Sequence, residues 1–175
     1  MKKIFVLSIA IFSIAVVFTS CKKNSDNKPV TTASSMKLAL NGTALSYNSC
    51  RIQNFKINGS LQSQITGQND ANVSTGNYYF NIVIYSDMNS LKVGDTFQVA
   101  TSAYEPNTMG LYYSPDSADL FETQSAATQG IVTITGVGSG FIQGTFSGKL
   151  FTTTDFAGTD VKYLVTDGTF NAKMK

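Results

Sequence analysis

The sequence predicts an all-β domain, either an antiparallel β-sandwich or a β-barrel of about 8 to 10 strands. Apolar and polar residues alternate with a period of two, most clearly around Phe80, Ile82 and Ile84, which would share one face of a strand. Turn signals recur roughly every 8 to 15 residues, and no sustained helical period interrupts them. A closed barrel and a two-sheet sandwich produce the same pattern, so both arrangements stay open.

The same alternation recurs along the chain and predicts the strands of the domain. They cover residues 36–41, 50–57, 61–66, 79–85, 97–103, 131–135, 141–151, 161–166 and 170–174. The turn signals between them are Asn41-Gly42, Asn58-Gly59, Gly76-Asn77, Gly94-Asp95, the run 136–140 and Asp167-Gly168. The last of these, Asp167-Gly168, is expected to close a hairpin.

The strand near residue 145 carries the most specific expectations about packing. Ile142, Phe146 and Leu150 would share one face of the sheet. Gly144 and Gly148 lie between them and would allow a local twist or a bulge. This reading of the glycines is structural and assigns them no ligand.

The first residues of the chain predict export. Lys2 and Lys3 precede an apolar run, and small polar residues follow it up to Cys21. Residues 4–20 are at the short limit of the roughly 20 residues that span a bilayer, and their polar ending suits a protease better than lipid. We therefore expect residues 1–20 to be removed as a signal peptide.

The Thr-Ser-Cys ending at Cys21 resembles the lipobox of bacterial lipoproteins. The resemblance implies that Cys21 becomes the first mature residue and holds the protein to a membrane through its acyl chains. Residues 21–35 have little to bury and include a proline, which predicts a flexible tether. Residues 36–175 would then form a single all-β domain, in which Cys50 has no disulfide partner and is expected in the core.

Charge argues against a nucleic-acid partner. The chain has 13 Lys and Arg against 11 Asp and Glu, and Lys2 and Lys3 leave with the signal peptide, so the mature protein is formally neutral. The remaining basic residues are scattered and form no stripe. We expect no nucleic-acid partner.

Composition also argues against an enzyme. The chain contains no His, which excludes Ser-His-Asp and Cys-His catalysis and imidazole-bound zinc. A carboxylate-based hydrolase is the remaining option, and its acids would come from Glu105, Asp116, Asp119 and Glu122. The distance between two carboxyl groups decides whether they can hydrolyse a glycoside, and the sequence does not give that distance. Acids in such a segment more often solvate a loop, so we expect no catalysis, no cofactor and no metal site.

Residues 104–119 are the least routine segment and are predicted to form a long loop. This stretch holds two of the three prolines of the chain together with several tyrosines. Rigid aromatic rings beside polar side chains can stack on sugar rings and bind their hydroxyls. An alternative is a further strand in which Leu111 and Tyr113 belong to the core. The candidate ligand-binding residues are Tyr104, Asn107, Tyr112, Tyr113, Asp116 and Asp119.

Two patterns resemble bacterial envelope proteins. The succession 130–135, 142–147 and 165–171, after an Asn-Gly turn near the start of the domain, resembles a small uncharacterised all-β lipoprotein family of Bacteroidota-type bacteria, a domain of unknown function. That resemblance implies an exported lipoprotein, expected in the outer membrane, with no catalytic residues to carry over. The triplet Asp116-Ser117-Ala118 resembles an O-glycosylation acceptor of such bacteria, which makes Ser117 a candidate for that modification.

Two classes of function are compatible with these features. The first is a lipid-anchored binding module of the cell envelope that captures glycan or peptide with residues 104–119 or an adjacent sheet face. The alternative is a structural or accessory envelope lipoprotein that acts through contacts with an envelope protein partner.

Overall fold

The computed structural model describes residues 33–69, 79–102, 105–116, 118–127, 129–138 and 140–175. The predicted signal peptide, Cys21 and most of the tether lie outside the described residues, as does the predicted Gly76-Asn77 turn. Strands make up nearly all regular structure in the described part, which confirms the all-β prediction. A short 3₁₀ helix, Met88–Ser90, lies between the described strands Tyr79–Ile84 and Thr96–Val99. No helix among the described residues is long and apolar enough to cross a membrane.

Eleven strands form one sheet. They are β1 Ser35–Leu40, β2 Thr43–Tyr47, β3 Ser49–Ile57, β4 Ser60–Gln68, β5 Tyr79–Ile84, β6 Thr96–Val99, β7 Thr108–Ser114, β8 Phe121–Glu122, β9 Gly130–Gly138, β10 Phe141–Thr152 and β11 Tyr163–Met174. The number slightly exceeds the predicted range because β2, β7 and β8 were not among the nine predicted strands, whereas the last two predicted strands form the single strand β11.

The sheet closes on itself. The strand order is β2-β1-β11-β3-β4-β5-β7-β6-β9-β10-β8, and an additional pairing of β10 with β11 completes a ring. Of the two arrangements that the sequence left open, this is the closed one. Most pairs are antiparallel, as predicted, but β11 pairs with β3 and β6 with β7 in parallel, each over two residues. The β1–β2 hairpin lies against β11 outside the ring.

Two tight turns set the register of the first hairpins. Asn41 and Gly42 have φ values of 49° and 81°, and Asn58 and Gly59 have φ values of 50° and 85°. These left-handed residues are those that a two-residue hairpin turn requires, which confirms both predicted Asn-Gly turns.

The prediction of a hairpin at Asp167-Gly168 is wrong. β11 runs through this site without interruption, and its register with β10 shifts between Phe146 and Gly148. Asp167 has a φ of 53°, so the pair forms a bulge inside one long strand. Gly168 is required there because a Cβ would meet the ring of Phe146 at 2.7 Å. The predicted strands 161–166 and 170–174 are therefore a single strand.

The core fills the interior of the closed sheet. Ile142, Phe146 and Leu150 are all buried on one face, as predicted. Cys50 is fully buried among them, and burial raises the pKa of its thiol to about 12. The thiol is therefore neutral and unreactive at physiological pH, which confirms its predicted place in the core. The Phe146 ring also stacks near Phe80, with centroids 5.3 Å apart.

Candidate functional site

A strand occupies the middle of the segment that was predicted as a loop. β7 covers Thr108–Ser114 and pairs with β5 in unbroken register from Met109 to Ser114. The prediction of one long loop over 104–119 is therefore wrong, and the alternative, a further strand, is confirmed. The reason is the alternation itself, because Met109 and Leu111 are fully buried and fix the inward face of β7.

Tyr112 and Tyr113 point to opposite faces of β7 because they are neighbours in a strand. Tyr113 shares the inward face, where its ring centroid lies 6.2 Å from Phe80 and 5.3 Å from Tyr163, edge to face with the latter. Tyr112 lies on the outward face with Gly110. The two tyrosines cannot form one binding surface, and only Tyr112 remains a candidate for ligand contact.

A cleft of about 290 Å³ lies beside Tyr112, where two neighbours of β7 diverge. One edge of β7 pairs first with β6, at Thr108 and Met109, and then with β8. Between these pairings the Leu111 N–H donates to Thr123 Oγ1 at 3.2 Å, and the Thr123 N–H donates to the Leu111 carbonyl at 3.0 Å. The residues of this β7 cleft that matter below are Tyr85, Gly110, Tyr112, Glu122, Gln124 and Ser125.

Gly110 allows the Tyr112 ring to lie against the strand. A Cβ placed on Gly110 would lie 3.0 Å from two atoms of the Tyr112 side chain. Contacts this short are rare for real Cβ atoms, so the bare backbone of Gly110 is part of how the ring is seated. The result is an aromatic wall with a fixed orientation, which costs a ligand little ordering entropy.

Glu122 and Gln124 form the polar side of the β7 cleft. Gln124 is only 6% exposed, and its Nε2 donates to Glu122 Oε1 at 3.1 Å. Burial raises the pKa of the Glu122 carboxyl, and the hydrogen bond from Gln124 offsets part of that rise. A carboxylate fixed by an amide can accept hydrogen bonds from hydroxyl groups of a ligand.

No family model, curated protein or solved structure matches this chain. The geometry of the cleft is therefore the basis for any functional conclusion. That geometry supplies an oriented aromatic ring, a half-buried carboxyl and a buried amide, which together suit a small polar ligand with an apolar face.

The other predicted ligand-binding residues that the structure describes do not line the cleft. Asn107 is a turn residue with a φ of 60°, and its N–H donates to the Tyr85 carbonyl at 3.1 Å. Asp116 accepts from the N–H groups of Ala118 and Asp119 at 2.8 Å each, and these bonds lower its pKa. Asp119 itself is exposed. These residues build surface turns, whereas Tyr104, Ser117 and Cys21 lie outside the described residues.

The acids proposed for a hydrolase have separate roles. Glu105 accepts from both the N–H and the hydroxyl of Thr101 at 2.8 Å, and these bonds lower its pKa. Asp116 is held by its own turn, while Glu122 lines the cleft. Within the described parts of the chain, no group of three or more His, Cys, Asp or Glu is placed to hold a metal ion.

Sequence reasoning missed most of the cleft. Tyr85, Gln124 and Ser125 carry no motif, and Glu122 was considered only as a possible catalytic acid. Tyr85 follows β5 and Gln124 follows β8, so the two meet only because both strands flank β7. The burial of Gln124 marks it as unusual for a glutamine, but the sequence does not show that burial.

Proposed function

We propose that this protein is a lipid-anchored envelope protein whose domain is a non-catalytic module that binds glycan in the β7 cleft. The observation that carries the proposal is the Tyr112 ring seated on Gly110 beside the Glu122–Gln124 pair. Sugar rings offer an apolar face that stacks on an aromatic ring and hydroxyls that bond to carboxylate and amide groups. The cleft provides both kinds of contact within one small volume.

The backbone of β7 favours glycan over an extended peptide. A peptide that added to this edge as a strand would need unpaired N–H and carbonyl groups. At Leu111 both groups already bond to Thr123, and the Met109 carbonyl accepts from the Ala100 N–H at 3.1 Å. Side chains are therefore the recognition groups of the cleft, as they are for a polyhydroxylated ligand.

The absence of catalysis is part of the proposal. The chain has no His, and among the described residues that line the β7 cleft Glu122 is the only acid. Hydrolysis of a glycosidic bond ordinarily uses two carboxyl groups on either side of the bond. Release of reducing ends from a bound oligosaccharide would contradict this part of the proposal.

The test of the cleft is a thermal-shift and calorimetric screen of the mature chain with Cys21→Ser, which removes the acylation site. The ligands are polysaccharide fragments, peptidoglycan fragments and short peptides. A ligand at a hundred times its Kd should stabilise the native state by about 2.7 kcal/mol. We expect one glycan class to bind, and we expect Tyr112→Ala to abolish that binding while Tyr112→Phe retains it.

Asp119→Asn is the matched control for Glu122→Gln, because Asp119 is an exposed acid outside the cleft. We expect Glu122→Gln to weaken binding and Asp119→Asn to leave it unchanged. Binding that survives both Tyr112→Ala and Glu122→Gln would place the ligand elsewhere. A flat screen on folded protein would favour the alternative of an accessory envelope protein that acts through protein contacts.

The lipid anchor is tested separately. We expect mass spectrometry of the membrane-extracted protein to show an acylated N-terminal Cys21 and loss of residues 1–20. The Cys21→Ser variant should leave the membrane fraction. Recovery of the unmodified full-length chain from membranes would contradict the proposed anchor.

A further inference from the structure

The hairpin formed by β3 and β4 ends in an apolar tip. Phe55, Ile57 and Leu61 are 37%, 40% and 45% exposed around the Asn58-Gly59 turn. The hairpin, residues 49–68, contains no Asp or Glu. Residues 55–61 are called the hairpin tip below, and the only charged residue in the tip is Lys56.

The hairpin tip extends beyond the rest of the sheet. Among the described residues, the pairing of β4 with β5 ends at Ser63, and the pairing of β3 with β11 ends at Ile52. From Ser63 to the turn, β4 therefore runs roughly 10 Å with β3 as its strand partner. An apolar, projecting hairpin without acidic residues is an unusual surface for a domain that faces only water.

Both faces of the tip are apolar. Phe55 and Ile57 lie on one face, two residues apart in β3. Leu61 pairs with Lys56 and so lies on the opposite face. Apolar side chains therefore surround the end of the hairpin. Such a tip is suited to end-on insertion into a lipid bilayer, whereas docking onto a protein would require one flat apolar face.

The start of the domain shows from which side the tether arrives. The Ala33 carbonyl accepts from Asn171 Nδ2, and Ser34 Oγ accepts from the Cys50 N–H. β1 is antiparallel to β11, and β11 is parallel to β3, so the chain enters β1 from the end of the sheet where β3 finishes. The hairpin tip is at that same end.

The chain between Cys21 and Ala33 is long enough for a lipid on Cys21 and the hairpin tip to reach the same bilayer. Twelve residues after Cys21 the chain reaches Ala33, and such a segment spans at most about 40 Å. From Cys50, beside Ser34, β3 extends to Ile57 over about 23 Å. A lipid on Cys21 can therefore sit in the same surface that the tip touches.

We infer that the hairpin tip inserts into the bilayer that holds Cys21 and makes a second, shallow membrane contact that orients the domain. The inference rests on the lipid anchor of the proposed function, but not on the glycan cleft. Phe55, Ile57 and Leu61 supply apolar contact, and Lys56 pairs with anionic headgroups.

The opposite end of the sheet provides a matched comparison. The connection between β10 and β11 also exposes apolar residues, namely Phe156, Val161 and the nearby Leu164. It carries Asp155, Asp160 and Lys162, so its formal net charge is −1, and it lies at the end of β11 away from Ser35. Anionic headgroups would repel this end, which has a net negative charge, and attract the tip, whose charged residue is Lys56.

The experiment anchors the mature chain chemically, so that it does not depend on acylation in the cell. Cys21 is coupled to a maleimide lipid in vesicles of phosphatidylethanolamine and phosphatidylglycerol with brominated acyl chains. Cys50 is buried and does not compete for the maleimide. The chain has no Trp, so Phe55→Trp and Phe156→Trp each give a single fluorescent reporter.

We expect the emission of Phe55→Trp to shift to the blue and to be quenched severalfold more than that of Phe156→Trp. Adding Ile57→Ser and Leu61→Ser to Phe55→Trp should abolish the quenching, whereas Val161→Ser with Leu164→Ser should leave it unchanged. Equal quenching of the two reporters, or quenching that survives the tip substitutions, would overturn the inference. A dimer that the tip substitutions dissolve, without quenching by lipid, would overturn it in favour of a second copy of this chain.

Discussion

Two regions of the molecule place a glycine against an aromatic ring, and they use the arrangement differently. In β10, Gly144 lies under the ring of Phe170, and a Cβ there would collide with that ring and lie 2.6 Å from the Thr133 carbonyl oxygen. In β7, Gly110 lies under Tyr112, where a Cβ would meet the side chain at 3.0 Å. The first pair is part of the core, and the second borders the β7 cleft.

The difference is one of surroundings. Gly144 is flanked by backbone and by a buried ring, so nothing near it can move without disturbing the sheet. Gly110 faces the Tyr112 side chain on the outer surface, so a methyl group here would displace that ring without disturbing the sheet. A glycine packed against an aromatic ring therefore contributes to stability in one region and shapes a binding surface in the other. Substitution of each glycine should affect stability in the first case and ligand binding in the second.

The largest effect is expected from Gly144→Ala. The new methyl group collides with Phe170 and with the backbone of β9, so we expect a loss of about 3 kcal/mol in the free energy of unfolding. Urea denaturation measures it. Gly136→Ala is the matched control, because the Cβ there meets chiefly the flexible Gln143 side chain. A loss for Gly144→Ala as small as the one expected for Gly136→Ala would show that β10 tolerates the methyl group and that the packing argument is wrong.

The two neighbouring tyrosines sharpen the comparison. Tyr113→Ala removes ring contacts with Phe80 and Tyr163, and we expect it to cost about 2 kcal/mol, less than a fully buried ring would. Tyr112→Ala should cost less than about 1 kcal/mol, because the ring lies on the outer face. Thermal and urea unfolding of both variants provide the measurement. A larger loss for Tyr112→Ala would mean that the cleft is part of the stabilising core.

Much of the fold could be predicted because its causes are local. A period of two and Asn-Gly turns follow from single-residue preferences, so both Asn-Gly turns and the face shared by Ile142, Phe146 and Leu150 were predicted correctly. Asp167-Gly168 has the same local signature as a hairpin turn. What makes it a bulge is the partner strand β10, which pairs on both sides of it, and no local pattern contains that information.

The candidate site was less predictable for a related reason. Prolines and tyrosines around β7 indicated a loop, yet Met109 and Leu111 were needed in the core and drew the segment into the sheet. Tyr112 and Glu122 then came together through the pairing of β7 with β8. Predicting the cleft required knowing which strands close the sheet, and that depends on contacts between residues far apart in sequence.

A smaller effect on stability, with a clear effect on binding, is expected from Gly110→Ala. The Cβ pushes the Tyr112 ring out of its seat, and we expect the affinity for the glycan found in the screen to fall roughly tenfold, equivalent to about 1.4 kcal/mol. Stability should change by less than about 1 kcal/mol, because the side chain can move. Calorimetric titration beside urea denaturation measures both. Unchanged affinity would show that the orientation of the ring is irrelevant to binding.

The smallest effect is expected on the pH dependence of stability, and Glu122→Gln tests it. Burial raises the pKa of Glu122 in the folded state, so its contribution to stability is fully present below the unfolded value and is lost as the pH rises through the folded one. Gln keeps an acceptor for Gln124 and removes the titration. We therefore expect the variant to gain stability relative to the wild type as the pH rises above the ordinary glutamate pKa of about 4.3, by less than about 1 kcal/mol, since the carboxyl is partly solvated.

Asp116→Asn should show the opposite sign and so serves as the control. Its carboxylate accepts two backbone N–H bonds that lower its pKa, so the stability that it contributes is present above the unfolded value and is lost as the pH falls through the folded one. Melting temperatures of wild type and both variants are measured from the acidic side of the ordinary Asp pKa upwards. Asp116→Asn should fall behind the wild type as the pH rises towards that ordinary value and then keep a constant offset, whereas Glu122→Gln should gain on the wild type only as the pH rises above the ordinary Glu pKa. Parallel curves for Glu122→Gln and wild type would mean that the carboxyl is as well solvated in the folded protein as in the unfolded chain, and the β7 cleft would lose its polar wall.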